Sequence, residues 1–363
     1  MSNEYTVTLH ALEDVTSLEE EWLNLEARCN CSFFLSWAWI SSWVNTFEPE
    51  CHVLRVHYAG NIVSLALLTK SRFSAPFRFS ATRLHLHQKG NAICDQVWTE
   101  YNGFLVESAH ETKSVLASME FLSEHFSDWD ELVIGAVTKK DAALLQSTSG
   151  LERHDLWSSP SYGVDLKKIR DSQHDYLGSL SSNTRYQIRR SFRLYAQEGE
   201  LSLIHATDMD TALEYLNDVA PLHLKRWGDG VSQSGFANAS FVAFHENLIK
   251  IAWPKKQIDF IKVQCGTRIV GFFYNFVYRG KVYFYLSGLA KEGNSKLKPG
   301  LCGHALSIQY YLDFGLNYYD FMGGDERYKA NLGEQHDELF QIALKQPLFK
   351  FKVETLLRKI KNY

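Results

Sequence analysis

The chain is poor in the features that mark disordered, fibrous or disulfide-built proteins: it has 7 prolines, 6 cysteines and only 22% charged side chains in 363 residues. With 45% hydrophobic and 14% aromatic residues beside those low counts, an extended or low-complexity chain is excluded. The cysteines form no CxxC pair and have no histidine partners at zinc-ligand spacing, so they read as reduced thiols and no metal site is expected. His85 and His87 share one face of an expected strand with Cys94 nearby, but no further ligands are announced, and they read as structural. An excess of positive charge is also missing: 38 basic residues against 42 acidic give a formal charge of -4, which argues against a general nucleic-acid binder. Apolar runs such as Ile269–Val277 stop at strand length, and MSNEYTVTLH has no basic segment before an apolar core. Neither a membrane span nor export is expected, and the reading is a cytoplasmic protein.

What is present is length and pattern. At 363 residues the chain is about twice the usual domain size, which predicts two domains or two similar halves. In the first half, helical spacing runs over Val15–Arg28 and Trp37–Phe47, and a hairpin over His52–Tyr58 and Ile62–Thr69 turns at Ala59-Gly60-Asn61. Strands are expected at Arg83–His87, Tyr101–Val106, Glu131–Val137 and Tyr162–Leu166, with helices over Ala109–Phe126 and from Lys139. The second half predicts helices over Asp175–Gln197, Met209–Arg226 and Phe241–Ile251. A three-strand meander follows: Asp259–Cys265, Ile269–Tyr278 and Lys281–Gly288. A helix from Lys296–Gly303 to Phe314, a strand Tyr318–Met322, a loop to Asp337 and a strand Leu339–Lys345 complete it. The hairpins repeat, with Val56, Ile62 and Val63 aligning with Val263, Ile269 and Val270.

The segment Lys298-Pro299-Gly300-Leu301-Cys302-Gly303 opens a helix with a glycine-bearing turn. Unpaired backbone N–H groups and the helix dipole there attract a phosphate, and Lys296 and Lys298 add charge; the same turn is also a common cap. Arg185, Arg189 and Arg193 fall on one helical face beside Arg190, either to hold phosphate or carboxylate or as a solvated charge run. After Lys345 the tail carries Lys350, Lys352, Arg358, Lys359 and Lys361 with Leu356, Leu357 and Ile360. Such a tail can rest on an anionic membrane surface or simply keep a terminal helix soluble.

KPGLCGHALSIQYYLDFGLNYYDFMGGDERYKANLG from Lys298, LHLKRW from Leu222 and SNTRYQIRRSFR from Ser182 together resemble the GNAT acyltransferases. The likeness is to the tandem CelD/BcsL-type acetyltransferases, whose relatives include the Fem-type aminoacyl transferases. It covers about Asp175 to Lys345; the first half matches in layout and in TEYNGFLV from Thr99. The resemblance implies an α/β (α+β) fold of two tandem GNAT-like units, each a mixed, mostly antiparallel sheet flanked by helices. The expected units are 1–170 and 171–345, followed by a basic tail over 346–363. It implies an acetyl-CoA or other acyl-CoA donor held by Leu286, Ser287, Lys298, Gly300, Leu301, Cys302 and Gly303, with no metal. The GNAT loop R/Q-x-x-G-x-G/A is matched only at Gly300, since Leu297 stands at the Arg/Gln position and Cys302 at the second glycine. A carrier-protein thioester or an aminoacyl-tRNA is therefore an alternative donor.

Acyl transfer needs a base, donors to the carbonyl oxygen and a proton source for the thiolate. His223 is the first candidate base and equally a structural helix histidine; Asp320 and Glu326 are alternative bases or turn caps. Tyr328 could protonate the thiolate or simply pack. Glu100, Tyr101, Arg185, Arg226, Trp227 and Lys329 are the expected substrate contacts. The leading reading is acyl transfer, most simply acetyl, to an amine or hydroxyl of a sugar, envelope polysaccharide precursor or small metabolite. Aminoacyl or peptidyl transfer from tRNA and a catalytically silent glycan- or protein-binding module are the competitors. The expected partners are the small-molecule or glycan acceptor, a carrier protein as alternative donor, and an inner-membrane face met through the tail.

Overall fold

Residues 4–74, 80–126, 128–173, 175–348 and 351 are described by a computed structural model. It divides into one unit of Met1–Ser158 with Glu338–Tyr363 and another of Ser159–Asp337. The expected boundary at 170/171 thus moves to Ser158, and the last strand returns to the first unit. Most of the basic tail, with all its charges beyond Lys345, lies outside the described residues.

The first unit contains β1 (Tyr5–Ala11), α1 (Val15–Glu26), α2 (Trp37–Phe47), β2 (Cys51–Tyr58), β3 (Asn61–Ser74), β4 (Ser80–Leu86), β5 (Leu105–Val106), α3 (Glu111–Glu124), β6 (Glu131–Thr138) and α4 (Lys139–Ser149). Side-chain caps set the starts of both early helices, since Asp14 accepts the Thr16 N–H and Ser36 the Trp39 N–H. The β2–β3 hairpin turns on Ala59 and Gly60, both at positive φ, as a two-residue turn of the right twist requires. The strand expected over Tyr101–Val106 shrinks to two residues because Tyr101 is left-handed, at φ 49°.

The second unit begins within β7 (Glu152–Asp165) and continues through α5 (Leu166–Asp171), α6 (Tyr176–Ser179), α7 (Ser182–Tyr195), β8 (Leu201–His205), α8 (Met209–Trp227) and α9 (Ala239–Ala252). Then come β9 (Ile258–Cys265), β10 (Arg268–Tyr278), β11 (Lys281–Leu289), α10 (Pro299–Asp313), β12 (Tyr318–Gly323), α11 (Arg327–Leu332) and β13 (Glu334–Lys345), which passes into the first unit at Glu338. The single helix expected over Asp175–Gln197 is two, because Leu180 is extended and Ser181 caps a new start by accepting the Thr184 N–H. The loop expected before Asp337 contains α11.

Each unit is a mixed, mostly antiparallel sheet flanked by helices. The strand order β1-β2-β3-β4-β6 of the first is repeated as β8-β9-β10-β11-β12 in the second. In both, all neighbours are antiparallel except the last pair, β4–β6 and β11–β12. A sixth strand completes each sheet: β13 pairs β6, and β7 pairs β12. Each repeat therefore receives its sixth strand from the segment that follows the fifth strand of the other. The aligned Val56 and Val263 are both buried, as are Val63 and Val270, so the repeated pattern marks equivalent core positions.

Candidate active site

The site grows from an interruption in the second sheet. β11 and β12 pair only from Lys281–Tyr318 to Tyr283–Asp320, and beyond that register the two parallel strands no longer bond to each other. His304, one turn into α10, occupies this divergence: its ring lies 4.5 Å from that of Phe284 on β11 and 5.1 Å from that of Phe321 on β12. The helix comes this close because of Gly303, where a Cβ would stand 2.5 Å from the Phe273 ring. His304 is 2% exposed, and burial pulls its pKa down to about 3, so the ring is neutral. Its Nδ1 lies 3.1 Å from the Tyr319 hydroxyl, and its ring stacks on Tyr328 at 5.4 Å.

Beside this histidine opens a cavity of about 210 Å³. Ser287 and Leu289 of β11 form one wall, the α10 start from Lys298 to Leu301 a second, and Arg226, His304 and Tyr328 the remainder. Pro299 brings no N–H, and the first intrahelical bond is donated by Cys302 to the Lys298 carbonyl. The N–H groups of Gly300 and Leu301 thus have no acceptor among the described residues. With Lys298 and Arg226 they make an electropositive wall suited to an anion. Burial raises the pKa of Tyr328, which keeps its proton at neutral pH.

Of the expected donor residues, Ser287, Lys298, Gly300 and Leu301 line the cavity. Leu286 and Cys302 are core residues, and burial pushes the Cys302 thiol up to about 12, while Gly303 is the close-packing position already described. His223 lies one turn before Arg226 on α8, outside the lining; its Nδ1 is 2.8 Å from Ser234 Oγ, and burial with Arg226 lowers its pKa to about 4. Asp320 is fully buried, ion-paired with Lys281 at 2.6 Å, and accepts the Met322 N–H across a bulge. It is thereby committed away from the cavity. Glu326 is exposed beside Lys329, whose buried ammonium donates to the Gly323 carbonyl at 2.5 Å. Arg185 is spent on the carbonyls of Gly178 and Leu180, so it anchors the end of α6. Trp227 is exposed beside Arg226, and Glu100 and Tyr101 belong to the first unit. Among the described residues no cluster of three or more His, Cys, Asp or Glu could hold a metal. His304 was missed by sequence reasoning; its spacing of four from Gly300, which puts both on one helical face, was the available signal.

The first unit has the same divergence, since β4 and β6 pair only as far as His85–Val133. There it is closed from within. Asn102 donates its side-chain amide to the Leu86 carbonyl and its backbone N–H to the Ala136 carbonyl, so it bridges the separating strands. Gln88 packs where a Cβ of Gly135 would lie. The helix that stands where α10 does, between the fourth and fifth strands of the repeat, is α3; it begins only at Glu111, after a 3-10 turn at Cys94–Val97 and the short β5.

Residues 182–330 match the family described as Acetyltransferase (GNAT) domain. The fold is similar to that of FemX, with TM-score 0.59 and 12% identity over 94% of this chain and 99% of that one. It is also similar to the C-terminal domain of a putative lysylphosphatidylglycerol synthetase from Agrobacterium fabrum, with TM-score 0.55 and 10% identity over 92% of each chain. L-PGS from Bacillus licheniformis aligns with TM-score 0.53 and 12% identity over 95% of this chain and 96% of its own. No curated protein matches the sequence significantly.

Proposed function

From a chain whose second unit carries a GNAT acetyltransferase domain, within a two-unit GNAT fold shared with FemX, we propose an acyltransferase that takes its acyl group from acyl-CoA, most simply acetyl-CoA. The observation that carries this reading is the cavity where the open N–H groups of α10, Lys298 and Arg226 stand beside His304 and Tyr328. A phosphate-bearing thioester meets positive groups at one end and an aromatic, hydrogen-bonding end at the other. At about 210 Å³ the cavity is smaller than the roughly 300–1,000 Å³ of sites that bury a whole drug-sized ligand. It suits the thioester end of the donor and a short acyl chain.

In the proposed reaction an amine or hydroxyl of the acceptor attacks the thioester carbonyl carbon, and the carbon–sulfur bond breaks. The acceptor's proton passes to His223, which stands one turn from the cavity-lining Arg226 and takes it through one intervening water, and Tyr328 protonates the leaving thiolate. A sugar, polysaccharide precursor or small metabolite remains the proposed acceptor. A second cavity of about 590 Å³ in the same unit, lined by Ser179, Ser181, Thr184 and Asn331 and sharing α11 with the first, supports a polyhydroxylated molecule. Acetyl-CoA at 100 times its Kd stabilises the native protein by about 2.7 kcal/mol if this reading holds, seen as a raised Tm. No shift with acetyl-CoA or longer acyl-CoAs overturns it.

Transfer from aminoacyl-tRNA is the second reading, favoured by α7, whose fourteen residues hold four arginines and no acid. Arg189 and Arg193 are exposed there without a carboxylate partner among the described residues. Binding of tRNA that collapses as salt rises is its test.

A further inference from the structure

The hydrogen bond behind His304 fixes which of its nitrogens carries the proton. Tyr319 is fully buried on β12, and among the described residues its hydroxyl has one partner, Nδ1 of His304, at 3.1 Å. Burial also raises the Tyr319 pKa well above the ordinary value, so the phenol keeps its hydrogen. A buried hydroxyl left without an acceptor is costly, so Tyr319 donates and Nδ1 accepts. A neutral imidazole has one N–H, which must then sit on Nε2. That N–H has no acceptor among the described residues, and the ring lines the cavity with Ser287, Arg226 and Tyr328.

We propose that His304 is a catalytic hydrogen-bond donor whose Nε2–H meets the carbonyl oxygen of the acyl thioester, and that Tyr319 is the positioning residue that holds it in this tautomer. The assignment rests on the acyl-thioester reading of the cavity. As the acceptor attacks, negative charge builds on the carbonyl oxygen, and a donor already aimed at that atom stabilises the charge without rearranging. No proton needs to leave the ring: the carbonyl oxygen gains charge when the acceptor bond forms and loses it when the carbon–sulfur bond breaks. Packing against Phe273, Phe284 and Phe321 holds the ring in place, which gives the donor its preorganisation.

The test combines a ligand-free and a ligand-bound measurement. Nitrogen-15 NMR of the full chain should find His304 as the Nε2–H tautomer, and Tyr319→Phe should release a mixture of tautomers. Infrared spectroscopy of acetyl-CoA carrying carbon-13 at the carbonyl should show its stretch lowered on binding to the wild type and restored to the free value in His304→Phe. His304→Phe should lower kcat about 10²-fold with little change in KM, and His304→Gln, which keeps an amide donor, should recover part of the loss. An Nδ1–H tautomer in the wild type overturns the proposal, as does an equal carbonyl shift in wild type and His304→Phe. If acetyl-CoA does not bind the wild type at all, the donor reading falls and this assignment falls with it. Bound acetyl-CoA with an unshifted carbonyl removes the His304 assignment alone.

Discussion

Two histidines near the cavity are made different by their surroundings although each is held neutral. His304 is closed in by aromatic rings, with its one hydrogen-bonded nitrogen facing a tyrosine. His223 is half-buried, bonded to Ser234 and one turn from the exposed Arg226. As the proposed base His223 must be unprotonated, and its lowered pKa of about 4 sets the pH window. With a hydroxyl acceptor, which does not itself titrate in this range, kcat/KM should stay level from pH 8 to about pH 5 and fall as pH drops through about 4. A fall centred near 6.5 would show that burial and Arg226 do not act on the base. His223→Ala should lower kcat about 10²-fold, and an unchanged rate removes it from the reaction. At this scale the sequence carries residue types and not commitments: Asp320 reads as an alternative base and Arg185 as a substrate contact, but Lys281 and three backbone carbonyls already hold them.

The element that decides the chemistry is α10. Its start at Pro299, a proline at the first helical position followed by glycine, was legible, as were the meander before it and the strand after it. What local pattern does not carry is the register at which β11 and β12 separate, because that depends on the bulge at Met322 and on the packing of His304 between the strands. Gly303→Ala places a methyl against the Phe273 ring, and should destabilise the protein by about 1–3 kcal/mol in urea unfolding while weakening acyl-CoA binding. Full stability and affinity in that variant would show that α10 can sit farther from the sheet. In the first unit Asn102→Ala leaves the Leu86 carbonyl unmatched at the closed divergence, with an expected cost of about 1–3 kcal/mol by the same method. Any loss below a few tenths would mean that the bridge is dispensable. The break between α6 and α7 belongs to this scale too. The stretch Leu180-Ser181 carries a capping signal that helical spacing on either side concealed.

Across the whole molecule, both units bury neutral histidines: His87 with pKa lowered to about 4 in the first, His245 and His304 to about 3 in the second. Unfolded histidine titrates near 6.5, so between that value and the native pKa the unfolded chain binds more protons. Stability should be complete above about pH 6.5 and decline as pH falls, each residue contributing up to about 1.4 kcal/mol per pH unit. Urea midpoints measured from pH 7.5 to 4.5 check this, and a midpoint that does not move would show that these rings take up protons in the folded state. By itself the sequence determined that the chain is globular, that it holds two copies of one strand pattern, and that a glycine-bearing helix start with adjacent positive charge lies in the second. Those features are local, set by periodicity, turn residues and caps within a few positions. The tertiary structure alone decided that each repeat takes its sixth strand from the segment following the other, and that one divergence is sealed by Asn102 while the other holds His304 beside an open cavity. Strand partners and cavity walls come from residues far apart in the chain, and their choice depends on which side chains fill a shared space.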